Sequence, residues 1–351
     1  MAPYRKDVYC EFEFLKKFRS SNGRFSPLDT TDALCVWIEV ARFMQKSHLM
    51  LDINAQTFKK SIRNNDTLSY LWKKATEGVC KMSFVNEHNM EFFENLIIKP
   101  EGLDKVYLLA KQKVLAKQKA ICKDWAKKCG VVVLSPASWQ SNEEAKKHAY
   151  LFNDCGSVIK KNEEFEWRGV LRSEYNLSNS NAMVVIDNYI HKNISGNLMA
   201  IIDIMLPEKL FKETAFHLTI LTEKQKDAQY DKIYHKLVEK IKNSRPFLNC
   251  IVELYVKNGK GIFHDRTILT NNAKIDSGAG FSLRKEDGRA ESSTEIHILH
   301  PGIQSCSDSC DSSYVSILSD ARKMVRQIEK GCGYGERFPK TGACQNRLIV
   351  G

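Results

Sequence analysis

Apolar and polar positions alternate at the start of the chain. In DVYCEFEFL, Val8, Cys10, Phe12 and Phe14 fall on one side and Asp7, Glu11 and Glu13 on the other, the period of a half-buried strand. From Ala33 the period changes: Ala33, Val36, Trp37, Val40, Ala41 and Met44 recur at helical spacing, behind a Ser26 or Asp29 cap. HLMLDI is a short second strand ending at Asp52, helices follow near 55–62 and 66–79, and CKMSFV reads as a further strand. Residues 103–129 carry the longest helical stripe, with Leu108, Leu109, Val114, Leu115, Ile121, Cys122 and Trp125 on one side and lysines elsewhere. Gly130 ends it, and VVVLS is a buried strand. Strand–helix–strand alternation predicts a small α/β layer domain.

The second half is more regular. AMVVIDNYI, FHLTILT, NCIVELYVK, RTILTN and STEIHILHP read as strands. NLMAIIDIML, DAQYDKIYHKLVEKIKN and SSYVSILSDARKMVRQIEK read as helices, the last behind a Ser/Asp cap. This order predicts a mixed sheet with parallel βαβ units covered by helices. Between the halves, KKNEEFEWRG and the Ser/Asn-rich NLSNSN have linker composition. The expected organisation is an α/β domain at 1–160, a linker at 161–180, a second α/β domain at 181–330 and a tail at 331–351. Each domain is expected to be a mixed, mostly parallel sheet flanked by helices. Two domains also suit 351 residues, since single cores stop growing near ~250–300.

Composition narrows the setting. A hydrophobic share of 43% and a charged share of 27% are those of an ordinary globular chain, and no apolar run reaches the ~18 residues that a membrane span needs. With charges interspersed through MAPYRKDVYCEFEF, the expected location is the cytoplasm. The 11 cysteines are odd in number and mostly scattered singly, as reduced core thiols are. Cys306, Cys310, Cys332 and Cys344 gather near the C-terminus, but not as the two tight pairs of a zinc site. A net charge of +11 favours a polyanionic partner, nucleic acid or an anionic lipid surface.

The most pointed chemistry lies in GIFHDRTILTNN, followed by DSGAGFSL. His264, Arg266 and Asn271 are spaced His-x-Arg-x4-Asn, and Ser277, Gly278 and Gly280 form a turn shortly after. This pattern resembles the HxK(x)4D signature of the phospholipase D superfamily, with arginine in the lysine place and asparagine in the aspartate place. It is closer to the divergent HDR type found at the C-termini of MIT-domain proteins and in bacterial conflict systems. The resemblance covers about residues 180–300. It implies a phospholipase-D-like second domain that needs no metal, with His264, Arg266 and Asn271 as the catalytic or phosphate-lining set. It also implies that Lys274, Ser277, Gly278 and Gly280 lie beside the phosphate, and it suggests a role in bacterial defence. In that superfamily two histidines come from two copies of the motif or from two subunits, and one copy is present here, so turnover would require a homodimer. Asn271 holds no charge to stabilise an imidazolium, and Asp265, next to His264 on a strand, points to the opposite face. Arg266 can still bind a phosphate bidentately. His297 and His300, three apart on a strand, face opposite sides.

Two further expectations concern the first domain. Its opening strand and KDWAKKCGVVVLS look faintly like a PIN-type nuclease, which would place Mg²⁺ on Glu11, Glu13 and Asp52, although such nucleases carry an aspartate in the first strand. The alternative is that Glu11 and Glu13 line the solvated face of an edge strand. Lys111, Lys113, Lys117 and Lys119 lie in a span opposed by few acids, which suits a nucleic-acid backbone. The expected function is binding of a phosphodiester polyanion, nucleic acid first. The alternatives are a nuclease, dimeric through His264 or Mg-dependent at the N-terminus, and a peripheral protein that binds acidic membrane lipid.

Overall fold

The computed structural model describes residues 7–15, 44, 47–63, 66–78, 80–84, 106–108, 132–134, 155–171, 177, 180–191, 194–210, 215–259, 266–299, 314–331 and 333–350. The protein is mixed α/β, and the chain divides into two compact units, Met1–Asn153 and Asp154–Gly351.

The first unit holds a five-stranded sheet made of β1 (Asp7–Cys10), β2 (His48–Leu51), β3 (Lys81–Phe84), β4 (Val106–Leu108) and β5 (Val132–Leu134). The strand order is β3-β2-β1-β4-β5 and every pairing is parallel. Between β2 and β3 lie α1 (Ala55–Ile62) and α2 (Asp66–Thr76). Asn54 caps α1 by accepting from the Thr57 N–H at 2.8 Å. Phe58, on the inner side of α1, is fully buried among Phe12, Trp72 and Phe84, with ring centroids 5.4–5.9 Å away. Burial of such a ring contributes about 1.5–3 kcal/mol.

Two expectations change here. β1 is the central strand, with Val8, Tyr9 and Cys10 all buried, and residues 12–15 turn into a helix after Glu11. Parallel strands are covered on both faces, so the alternation read from DVYCEFEFL came from a strand of four residues running into a helical turn. Glu11 and Glu13 therefore lie past the carboxyl end of a central strand, not along an edge. The helix expected from 103 also gives way, since Val106–Leu108 pairs with β1 and with β5. Pairing on both sides of a short β-prone run outweighs a helical stripe that continues beyond it. The remainder of that stripe, with Lys111, Lys113, Lys117 and Lys119, lies outside the described residues, as does the helix expected over Ala33–Val40.

The second unit carries an eight-stranded sheet: β6 (Cys155–Ile159), β7 (Ala182–Ile186), β8 (Phe216–Glu223), β9 (Cys250–Lys257), β10 (Arg266–Thr270), β11 (Lys274–Ser277), β12 (Thr294–Leu299) and β13 (Gly335–Phe338). Its order is β13-β9-β8-β7-β10-β11-β12-β6; β7, β8 and β9 are mutually parallel and all other pairings are antiparallel. The helices are α3 (Trp167–Val170), α4 (Met199–Met205, entered through a π-helical turn at Ile194–Leu198), α5 (Tyr230–Ser244), α6 (Tyr314–Glu329) and α7 (Arg347–Val350). Every residue of β7 and of β8 is buried, as expected of parallel strands at the middle of a sheet.

The segments expected as linker and tail belong to this unit, and so do residues 154–160, expected at the end of the first domain. β6 pairs along β12, and Trp167 is buried, its indole N–H donating to Asn197 Oδ1 at 3.0 Å. Asn197 Oδ1 also accepts from the Arg284 N–H at 2.8 Å, while Arg284 pairs with Glu166 at 2.6 Å. A polar composition suggested a linker, but here the polar groups are bonded to one another. At the other end, β13 extends the sheet beside β9, and residues 341–346 lie over the sheet face that carries Glu253.

His217, at the amino end of β8, gives this region a pH response. Burial lowers its pKa below the usual histidine value, and the Arg347 cation lowers it further. The unfolded chain, near pH 6.5, therefore takes up a proton before the folded one does. Stability is full above that pH and falls as the pH drops toward the folded pKa, by at most about 1.4 kcal/mol per pH unit. Urea unfolding at pH 7.5 and 5.5 should show the loss, and His217→Gln should flatten it; an unchanged slope would remove His217 as the cause.

Candidate functional site

β10 runs antiparallel to β7, so its amino end meets the carboxyl end of β7, with Thr267 opposite Ile186. This brings Arg266 beside Asp187, the residue that follows β7. The carboxyl ends of parallel strands are where α/β sheets usually hold ligands. Asp187 is 2% exposed and fastens two loops. Its Oδ1 accepts from the Tyr189 N–H at 2.7 Å, and its Oδ2 accepts from the Phe281 N–H at 2.9 Å. Burial pushes its carboxyl above the usual aspartate range, against the pull of those two N–H donors and of the Arg266 and His191 charges.

The two fastened loops frame Arg266. Its guanidinium lies over the Tyr189 ring, 5.1 Å from the centroid, and Nη1 donates to the Gly278 carbonyl at 3.1 Å. Gly280 has φ +91°, a conformation that calls for glycine, and it lies against the arginine stem, where a Cβ would be 3.4 Å from Arg266 Cγ. Among the described residues, the contacts of this guanidinium are a carbonyl and an aromatic face, with no carboxylate in ion-pair range. A partly exposed guanidinium with donors beyond the one given to Gly278 suits an anion.

The glycine turn is tied into the fold. Three successive amides donate internally: Ala279 to Thr294 Oγ1 at 3.0 Å, Gly280 to the Ser277 carbonyl at 3.4 Å, and Phe281 to Asp187. The Ser277 hydroxyl donates to the Gly280 carbonyl at 2.6 Å. The turn's role is to hold Arg266 and Asp187.

Asn271 and Lys274 do not join Arg266. Asn271 follows the far end of β10, five residues on, roughly 16 Å away at strand rise. It is 5% exposed, and its Oδ1 accepts from the N–H groups of Asn181 and Ala182, both at 2.9 Å. There it closes the amino end of β7. Lys274 pairs in register with Leu269 and shares a face with Asp276, to which its ammonium is bonded at 2.6 Å. Ser277, next along, is on the opposite face with Arg266. The spacing that suggested one pocket thus distributes its residues over both ends and both faces of the sheet. His264 and Asp265 lie outside the described residues, as do His300, Cys306, Cys310 and Cys332. His297 is half-buried, 3.2 Å from Glu295 Oε2.

In the first unit, Glu11 and Asp52 follow adjacent strand ends, because Cys10 and Leu51 are in register. Asp52 Oδ1 accepts from the Phe12 N–H at 2.6 Å, capping the turn that begins there. Cys10 has its thiol pKa raised by burial and then by the charges of Asp52 and Glu11. Among the described residues no three His, Cys, Asp or Glu side chains gather as a metal would require.

One polar cluster escaped the sequence reading altogether. Glu253, 2% exposed in the middle of β9, receives Arg337 Nη2 at 3.1 Å, Thr219 Oγ1 at 3.0 Å and the Gln345 N–H at 3.1 Å. Cys344 Sγ is 3.1 Å from it, and burial, then the Glu253 charge, pushes that thiol up to about 12. A lone acid inside the apolar run CIVELYVK was the available signal: a buried carboxylate requires a partner. Tyr189 had a weaker signal, an aromatic two residues past a strand-terminal acid.

These features define a mixed α/β protein with an arginine site at the carboxyl end of a parallel β-unit. Among known proteins, the chain matches no family model and no curated protein. No helix among the described residues is long and apolar enough to cross a membrane.

Proposed function

We propose that the chain binds a phosphodiester polyanion, nucleic acid, with Arg266 as the residue that receives a backbone phosphate. The observation that carries this reading is the Arg266 guanidinium, partly exposed, without an ion-pair partner among the described residues, and set between Tyr189 and the Gly278 carbonyl. Charge distribution supports it. Residues 1–153 hold 25 Lys and Arg against 17 Asp and Glu, whereas residues 154–351 hold 28 against 25. Most of the positive surplus therefore belongs to the first unit, where it supplies a long-range field for a polyanion. The resemblance of the HDR stretch to phospholipase-D-like domains adds the expectation that His264 adjoins the same phosphate.

The test is a titration of labelled DNA and RNA at 50 and 200 mM salt, in EDTA and in Mg²⁺. Affinity should fall by about tenfold or more over that range and persist in EDTA. Absence of binding at low salt sinks the reading. EDTA-resistant cleavage that disappears in His264→Ala would replace it with a dimeric phosphodiesterase, and EDTA-sensitive cleavage would point to the first unit.

A further inference from the structure

Beside Arg266 the structure offers an aromatic surface that a phosphate alone does not need. Tyr189 is 37% exposed, although it sits in a loop fixed at both its amide and its carbonyl. The Tyr189 N–H donates to Asp187 Oδ1 at 2.7 Å, and its carbonyl accepts from Ser282 Oγ at 2.9 Å. The ring is therefore held in place at the surface, with its centroid 5.1 Å from the guanidinium carbon. The guanidinium covers one face of the ring and the His191 ring lies 6.4 Å away, so the surface left to a base is the remaining exposed part of Tyr189, adjoining the cation as base adjoins phosphate in one nucleotide.

From this juxtaposition we infer that the Arg266 site takes a single strand, with one unpaired base laid against Tyr189 and an adjoining phosphate on Arg266. The inference rests on the phosphate reading above and adds the ligand class. In a duplex the base faces are covered by their neighbours, so an aromatic ring next to a phosphate site gains contact only from a base out of the stack. Stacking on a ring tolerates any base, so the site should distinguish strandedness more strongly than sequence.

The experiment compares three labelled oligonucleotides of equal length: a single strand, its duplex, and a single strand with abasic positions throughout. Each is titrated with the full chain as wild type, Tyr189→Ala, Tyr189→Phe and Arg266→Ala. Wild type should prefer the ordinary single strand over the abasic one by about ten- to a hundredfold, the range for stacking one base. Tyr189→Ala should remove most of that preference, and Tyr189→Phe should keep it. Phenylalanine keeps the ring and its backbone anchors, so failure to fold in the alanine variant would be separated from loss of stacking. Equal loss on ordinary and abasic strands in Tyr189→Ala would overturn the inference and reduce the ring to a prop for the guanidinium. Duplex binding as tight as single-strand binding would also overturn it, while leaving the phosphate reading intact. An Arg266→Ala variant that binds all three as wild type does would overturn the phosphate reading itself.

Discussion

Arg337→Ala should lower the stability of the second unit by about 3–5 kcal/mol, the cost of leaving a buried carboxylate without its cation. Arg337 and Glu253 are 9% and 2% exposed, and their Nη2–Oε1 distance is 3.1 Å. The same guanidinium donates to the carbonyls of Thr341 at 2.9 Å and Ala343 at 3.0 Å, and also to that of Gly342. Removing it takes a donor from three carbonyls and the cation from the carboxylate, which keeps only the neutral donors Thr219 Oγ1, Cys344 Sγ and the Gln345 N–H. It should also loosen residues 341–346, which hold Cys344 and Asn346 against the sheet. Asn346, fully buried, donates through Nδ2 to the Met183 carbonyl at 2.9 Å and to Thr219 Oγ1 at 3.0 Å, so the loss would extend to β7 and β8. Urea unfolding measures the change. A double variant, Arg337→Leu with Glu253→Gln, should recover more than half of the loss, because it removes the stranded charge along with its partner. A single-variant loss below about 1 kcal/mol would mean that water reaches Glu253 in the folded state.

Arg266→Ala should weaken nucleic-acid binding by about ten- to a hundredfold, corresponding to about 1.5–3 kcal/mol for hydrogen bonds to a charged group. The slope of log affinity against log salt should fall by about one, as expected when one phosphate contact is lost. Arg266→Lys should recover only part of the affinity. A lysine restores the charge but neither the planar fork nor the same fit over the Tyr189 ring. Thermal unfolding of each variant separates a binding defect from a folding one, since the Arg266 stem also packs against Gly280. An unchanged affinity and slope for Arg266→Ala would move the phosphate site elsewhere on the chain.

The two predictions differ in how visible their residues were in the sequence. Arg266 was singled out from a short spacing pattern, and it lies beside an acid, an aromatic ring and a glycine turn. The same pattern also nominated Asn271 and Lys274, which fall at the far end of β10 and on the other face of β11. A one-dimensional spacing along a strand carries no information on which end of the sheet a neighbouring loop will need. Asn271 is used where β7 begins, because the amides of Asn181 and Ala182 donate to its side chain there. Glu253 and Arg337 are separated by 84 positions, so nothing local could pair them.

Wherever burial follows a short period, the elements were legible residue by residue. AMVVI is a strand buried on both faces, YDKIYHKLVEKIKNS and YVSILSDARKMVRQIE are helices, and the α/β class follows from their alternation. Those properties depend on backbone geometry and on neighbours within a few positions, which the chain carries in its own order. Which strand becomes central, whether Val106–Leu108 leaves a helical stripe to join β1, and how residues 341–346 cover Glu253 depend on partners far away in sequence. Such pairings are selected by hydrogen bonds and burial that exist only once the sheet has assembled, and they set Asp187, Tyr189 and Arg266 side by side.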